Sequence, residues 1–132
     1  NEKSKVVGKF NIKNKLSYND LLKSCDIGLS TVIVRKILLQ DNKFNKLKTK
    51  EDYLLWLKIV KKIKYIYGVN QNLSSWRKNE NSLSSSVIQK FLDTYRLYRL
   101  YLNNNFILSI LFSFRLVFYA IRKKFLIFWS NS

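Results

Sequence analysis

The sequence predicts an α/β chain, with a few short strands and packed helices followed by a helical C-terminal extension. Three observations carry this expectation. Residues 49–63 place apolar side chains at helical spacing behind an acidic start. Short runs of β-branched and aromatic residues punctuate the chain as far as position 77. Residues 87–132 hold two more helical stretches, parted by Asn103-Asn104-Asn105. At 132 residues, 47% hydrophobic and 15% aromatic, the chain can build a packed core, and wholesale disorder is excluded.

In order, residues 1–16 read as a polar entry with a strand from Val6 to Ile12. Ser17 then caps a short helix through Leu21, Leu22 and Lys23, with Asp20 three residues on as its capping-box partner. That helix ends before Gly28. Ser30-Thr31-Val32-Ile33-Val34 reads as a buried strand, Lys36 to Gln40 as a helical turn, and residues 41–48 as a polar, basic loop. The clearest helix follows. Thr49 is expected to cap it, with Glu51 and Asp52 in the first turn, where negative charge meets the positive end of the helix dipole. Tyr53, Trp56, Leu57, Val60 and Ile63 form its apolar face, and Lys58, Lys61, Lys62 and Lys64 crowd the rest. Lys64 to Tyr67 reads as a strand closed by Gly68, and Leu73 to Arg77 as another. A Ser-rich loop occupies 79–86. Val87 to Leu102 is helical, with Ile88, Phe91, Leu92, Tyr95 and Leu102 near one face. The final stretch, 106–129, is long enough as a helix, at roughly 36 Å, to cross a bilayer. Arg115 and Arg122-Lys123-Lys124 interrupt it, so it is expected to lie at an interface or to pack on protein.

The charge is one-sided, with 25 Lys and Arg against 8 Asp and Glu, a net of +17. Part of this is a Lys- and Asn-rich background of the kind that A- and T-rich codons produce. The distribution says more than the total. Asp93 is the last acidic residue, and Arg96, Arg99, Arg115, Arg122, Lys123 and Lys124 follow it in the most apolar part of the chain. Cations beside aromatic side chains suit an anionic membrane surface better than nucleic acid. With no His and one Cys, these residues contain no His-based acid–base chemistry, no Ser-His-Asp triad, no internal disulfide and no Cys-rich zinc site.

Several segments taken in order, Leu16 to Cys25, Ile27 to Val32, Lys50 to Lys58, Gly68 to Leu73, Trp76-Arg77 and Asn81 to Ser85, resemble the C-terminal half of bacterial family 2 glycosyltransferases. The Glu-Asp pair before a helix containing Leu-Trp-Leu is the most specific match. The resemblance implies an incomplete GT-A-like fold, with residues 1–86 as the acceptor-side part and 87–132 as the helical extension. It implies a sugar passed with inversion from a nucleotide-diphosphate donor to a saccharide or lipid-linked acceptor in surface polysaccharide synthesis. It also implies a cytoplasmic enzyme peripheral to the inner face of the cell membrane. The family's divalent metal, Mg or Mn, sits on an Asp-x-Asp motif that this sequence lacks. With no Met in the chain either, the expectation is the C-terminal part of a longer enzyme, inactive without its other half.

By the same resemblance Asp52 is the general base and Glu51 its neighbour in the catalytic pair. Arg77, beside Trp76, faces the departing diphosphate. Tyr53 lines the acceptor pocket, unless it belongs to the core. Ser30 and Thr31, after Gly28, lie close to the bound sugar, unless they form a plain turn. Ser82 and Ser84 are weaker candidates for phosphate or sugar hydroxyls, and Cys25 reads as a small buried hydrophobe. The alternative is a basic, non-enzymatic module that binds nucleic acid or an anionic membrane.

Overall fold

The computed structural model describes residues 12–75 and 86–129, with side chains as far as Arg122. The mixed α/β character expected from the sequence is present. Strand β1 (Lys15–Ser17) leads into helix α1 (Tyr18–Lys23). After a long irregular stretch come α2 (Glu51–Ile63) and strand β2 (Tyr65–Tyr67), then α3 (Val87–Arg96) and α4 (Phe106–Trp129). β1 and β2 form a two-stranded antiparallel ribbon in which Leu16 faces Ile66. Each strand is fastened to a helix. Ser17 caps α1 as expected: its hydroxyl accepts the Asp20 N–H at 3.2 Å, and Asp20 accepts the Ser17 N–H at 3.0 Å. At the other end of the ribbon the Gly68 N–H donates to the Asn14 carbonyl at 3.0 Å. A Cβ on Gly68 would sit 2.6 Å from the Lys13 carbonyl oxygen, so this close approach requires glycine.

Helix α2 is the centre of the molecule. Tyr53, Leu54, Leu55, Trp56, Leu57, Ile59 and Val60 are all buried, which is far more than one stripe. A helix apolar on most of its circumference must be wrapped on most sides. The wrapping comes from Leu16 on β1, Leu21 on α1, Leu97 and Tyr98 just after α3, and Leu116 on α4. Ile63, expected on the apolar face, is instead 40% exposed, where the chain leaves the helix through Lys64 at a positive φ of 71°. Within the core the Tyr53 hydroxyl donates to the Leu21 carbonyl at 2.8 Å. Its oxygen lies 3.1 Å from the Tyr98 hydroxyl, which also reaches the Leu22 carbonyl at 3.5 Å. The indole N–H of Trp56 is buried with no partner among the described residues.

α3 and α4 pack antiparallel, with Phe91 against Phe114 and Tyr95 against Phe106. α3 runs into a π-helical turn, Leu97–Tyr101, closed by the Leu102 N–H on the Leu97 carbonyl. The inward face of this unit is Asp93, Thr94, Leu97 and Tyr98. The sequence pointed to Ile88 and Leu92, which are exposed. The bonds from Thr49 to Asp93 turn that side of α3 inward, and Ile88 and Leu92 fall on the other side. Asn103 breaks the chain as expected, in the left-handed region, and the Asn105 side chain caps α4 by accepting the Leu108 N–H.

Three more expectations meet the structure differently. The segment 30–34 is not a buried strand. Leu29–Thr31 is a 3-10 turn; beyond it the backbone is extended, with Val32 and Val34 half-buried on the core and Ile33 fully exposed. The β-branched pattern is obeyed, but among the described residues no neighbouring segment supplies a ladder. The turn at Lys36–Leu39 does form. Thr49 does not cap α2, for a reason taken up below. The strand placed at Val6 to Ile12 lies, apart from Ile12, outside the described residues, as do Trp76 and Arg77 at the end of Leu73 to Arg77. Leu73, Ser74 and Ser75 form no strand.

Burial pushes the Tyr98 phenol from 10.0 up to about 12, and raises Tyr53 as well. Both stay neutral in the folded chain while the unfolded chain ionises. Their contribution to stability is therefore complete below about pH 10 and is lost as pH rises toward about 12. Tyr98→Phe should make this alkaline loss shallower in denaturant titrations at stepped pH. Gly68→Ala should lower stability by about 2 kcal/mol, read from the denaturation midpoint, by forcing the Lys13 carbonyl away.

Candidate active site

The acidic pair stands at the start of α2, and this start is built from three directions. Lys50, the residue before the helix, adopts a left-handed conformation (φ 71°) and offers no side-chain cap. Asn45 donates from its side-chain amide to the Glu51 carbonyl at 3.3 Å, while its own carbonyl oxygen accepts the Leu47 N–H. Thr49 donates from both its N–H and its hydroxyl to one oxygen of Asp93, each at 2.9 Å. Thr49 therefore serves α3 rather than the end of α2.

Asp93 is fully buried. Burial by itself would raise its pKa. Hydrogen bonds from Gln89 and Thr49, together with the charge of Arg96, outweigh that and hold the carboxyl below its ordinary value. The sequence reading passed over Asp93 except as the last acid. Its signal was a lone carboxylate flanked by apolar side chains within a helix, a placement that burial permits only with partners.

Glu51 and Asp52 are both half-buried in the first turn of α2. One oxygen of Asp52, Oδ1, accepts the Tyr53 N–H at 2.7 Å and so satisfies a first-turn donor that Lys50 leaves open. Its other oxygen makes no hydrogen bond to a described residue. An ionised carboxylate here is favoured by the helix dipole and keeps one oxygen for a further proton or hydroxyl. Tyr53, offered as a pocket residue, is at 0% exposure with its hydroxyl spent on the core, and this corrects the pocket reading in favour of the core.

Ser30 and Thr31 lie exposed on the 3-10 turn, and the Thr31 hydroxyl donates to the Gly28 carbonyl at 2.8 Å. Gly28 has an ordinary extended backbone, and a Cβ there would meet only the Thr31 hydroxyl at 3.6 Å, so nothing at that turn requires glycine. Cys25 is half-buried against the core. Trp76, Arg77, Ser82 and Ser84 lie outside the described residues. A shallow open depression lined by Ser17, Tyr18, Asn19, Lys61, Lys64 and Tyr65 lies toward the opposite end of α2 and includes neither acid. Among the described residues no three His, Cys, Asp or Glu side chains converge as metal ligands.

Over 87 residues the chain is 40% identical to the UDP-Glc:alpha-D-GlcNAc-diphosphoundecaprenol beta-1,3-glucosyltransferase WfgD of Escherichia coli. Over 84 residues it is 32% identical to TuaG of Bacillus subtilis (strain 168), a glycosyltransferase assigned to teichuronic acid biosynthesis. Its relatives are glycosyltransferases. Each match covers 64% of this chain, and the chain spans about a third of the length of these relatives, 34% and 33%. No family model matches the chain, and no solved structure does.

Asp93→Asn leaves a neutral acceptor in place of a buried anion and should cost about 2–3 kcal/mol at neutral pH. The lowered folded pKa makes the carboxylate's contribution present above about pH 4 and lost as pH falls below that. The variant should therefore show a flatter acid limb in urea denaturation. A residual slope should remain from Asp20, which its bonds to Ser17 and Lys13 also hold well below the carboxylate range.

Proposed function

We propose that this chain forms the acceptor-side part of an inverting family 2 glycosyltransferase of GT-A type. It passes a sugar from a nucleotide-diphosphate donor to a saccharide or lipid-linked acceptor in surface polysaccharide synthesis. The observation that carries the reading is the similarity to glycosyltransferases over 64% of the chain. The relatives' names support the partners: one uses UDP-Glc on a diphosphoundecaprenol-linked sugar, and the other is named for teichuronic acid biosynthesis.

In this reading Asp52 is the general base. The acceptor hydroxyl gives its proton to the free oxygen of Asp52 as its own oxygen bonds to the anomeric carbon. The bond from that carbon to the diphosphate breaks, and its electron pair leaves with the phosphate. Arg77 meets the charge that develops there. The main-chain bond to Oδ1 holds the carboxylate in one orientation, which favours positioning over basicity. Glu51 orients its neighbour or the acceptor. The Asn45 and Thr49 tethers supply the rigidity that such positioning needs.

In the complete enzyme, Asp52→Asn should lower kcat roughly 10²–10⁴-fold while donor affinity stays unchanged. Retained turnover would sink the assignment of the base. The 132-residue chain alone should bind no UDP- or GDP-sugar in calorimetry with Mg or Mn present; tight binding would place the donor site within this chain instead.

A further inference from the structure

The depression at the C-terminal end of α2 is lined by lysines and tyrosines that the glycosyltransferase reading leaves unused. Its volume is about 610 Å³, within the roughly 300–1,000 Å³ of small-ligand sites, and it lies open to solvent. Here ammonium groups are laid over phenol rings. Lys61 Nζ stands 4.9 Å from the centre of the Tyr18 ring, and Tyr65 has Lys15 at 3.7 Å and Lys64 at 5.6 Å. None of these three lysines pairs with a carboxylate among the described residues, whereas their neighbours do: Lys13 holds Asp20 at 2.9 Å and Lys62 holds Asp41 at 3.2 Å. An ammonium over a ring keeps its charge and its free N–H donors, and the contact restrains a side chain that would otherwise lose rotamer freedom on meeting a ligand. Lys64 stands there under strain. Its φ of 71° and ψ of −41° lie where side chains are ordinarily excluded, and glycine would adopt them more easily. The strain is tolerated, and the charge stays at the depression.

We propose that this depression binds an acidic saccharide chain, one whose sugars carry carboxylates. Lys15, Lys61 and Lys64 meet the carboxylates, and the exposed Asn19 amide meets sugar hydroxyls. The openness of the depression suits a chain lying across it rather than a small molecule enclosed by it. Single-stranded nucleic acid is the wrong occupant: its bases stack on free aromatic faces, and ammonium groups already cover a face of Tyr18 and of Tyr65. A neutral saccharide is wrong as well, since it offers nothing to three cations. The site is separate from the acidic pair. The 13 residues of α2 span roughly 20 Å, with Glu51 and Asp52 at one end and Lys61 and Lys64 at the other. A chain held here is held apart from the proposed base, so the depression recruits polymer and takes no part in bond making. This goes beyond the glycosyltransferase reading and needs no sugar transfer.

The experiment is calorimetric titration of the chain with a trisaccharide of galacturonic acid. Maltotriose serves as the neutral saccharide and triglutamate as the acid without sugar. No donor is present, so the outcome is separate from that of the glycosyltransferase reading. The acidic trisaccharide is expected to bind, and the other two to bind more weakly by roughly tenfold or more. Lys15→Gln with Lys61→Gln should weaken its binding roughly tenfold. Lys64→Gly should weaken it roughly fivefold and leave the denaturation midpoint equal or higher, because the strain is relieved while the charge is lost. Lys46→Gln with Lys48→Gln, an equal loss of charge in the exposed loop before α2, should weaken it less than about twofold. Equal losses from the two lysine pairs would show general attraction of a basic protein and overturn the proposal. So would unchanged binding by Lys64→Gly, or triglutamate or a single-stranded oligonucleotide bound as tightly as the saccharide.

Discussion

Asp93 is a carboxylate without solvent contact, and what makes it tolerable is Thr49, which turns two donors on to one of its oxygens from the far side of α2. An uncompensated buried charge would be strongly destabilising. Satisfying this one couples α3 to the chain two residues ahead of α2. The coupling fixes the chain just ahead of α2, where Lys50 and not Thr49 holds the N-cap position. Lys50 then turns into a left-handed conformation, and Glu51 and Asp52 enter the first helical turn with their backbones held. The tether spans 44 positions of sequence. It makes the position of the acidic pair depend on the last third of the chain.

Around that anchor the remaining packing follows from the composition of α2. A helix buried on most of its sides needs neighbours on most of its sides, and α1, β1, the π turn and α4 each contribute to its wrapping. The two tyrosine hydroxyls in this core are satisfied by each other and by the end of α1, so Tyr53 and Tyr98 join the first and last parts of the chain through directional bonds as well as burial. This explains why Tyr53, one residue from the proposed base, takes no part in the site. Successive helical positions point about 100° apart, and here that separates the half-exposed Asp52 from a side chain wholly inside.

Much of the local structure was legible in the sequence. The capping box at Ser17 and Asp20, the helix behind Glu51 and Asp52, the strand at Tyr65 to Tyr67 and the break at Asn103 all arise from residues acting within a few positions of each other. The faces of the later helices were not legible. Ile88 and Leu92 are as apolar as core residues, yet they point outward because the Thr49–Asp93 tether turns the other side of α3 inward. A run such as Val32-Ile33-Val34 is chemically suited to a strand, but a ladder needs a partner that only the fold can provide. At the candidate site, the acids and their place at a helix start were readable, and the bonds that hold them were not.

Taken alone, the sequence determined the element types, the acidic pair, the acid-free basic C-terminal region and the resemblance to glycosyltransferases, because each rests on residue identity at short range. Only the tertiary structure decided that Thr49 belongs to Asp93, that Tyr53 belongs to the core, and that α4 presents Ile107, Leu111, Phe114, Phe118 and Ile121 to the outside. These outcomes turn on which groups meet across distances that no local pattern encodes: a buried charge must find its donors, and a helix with two candidate faces can bury only one.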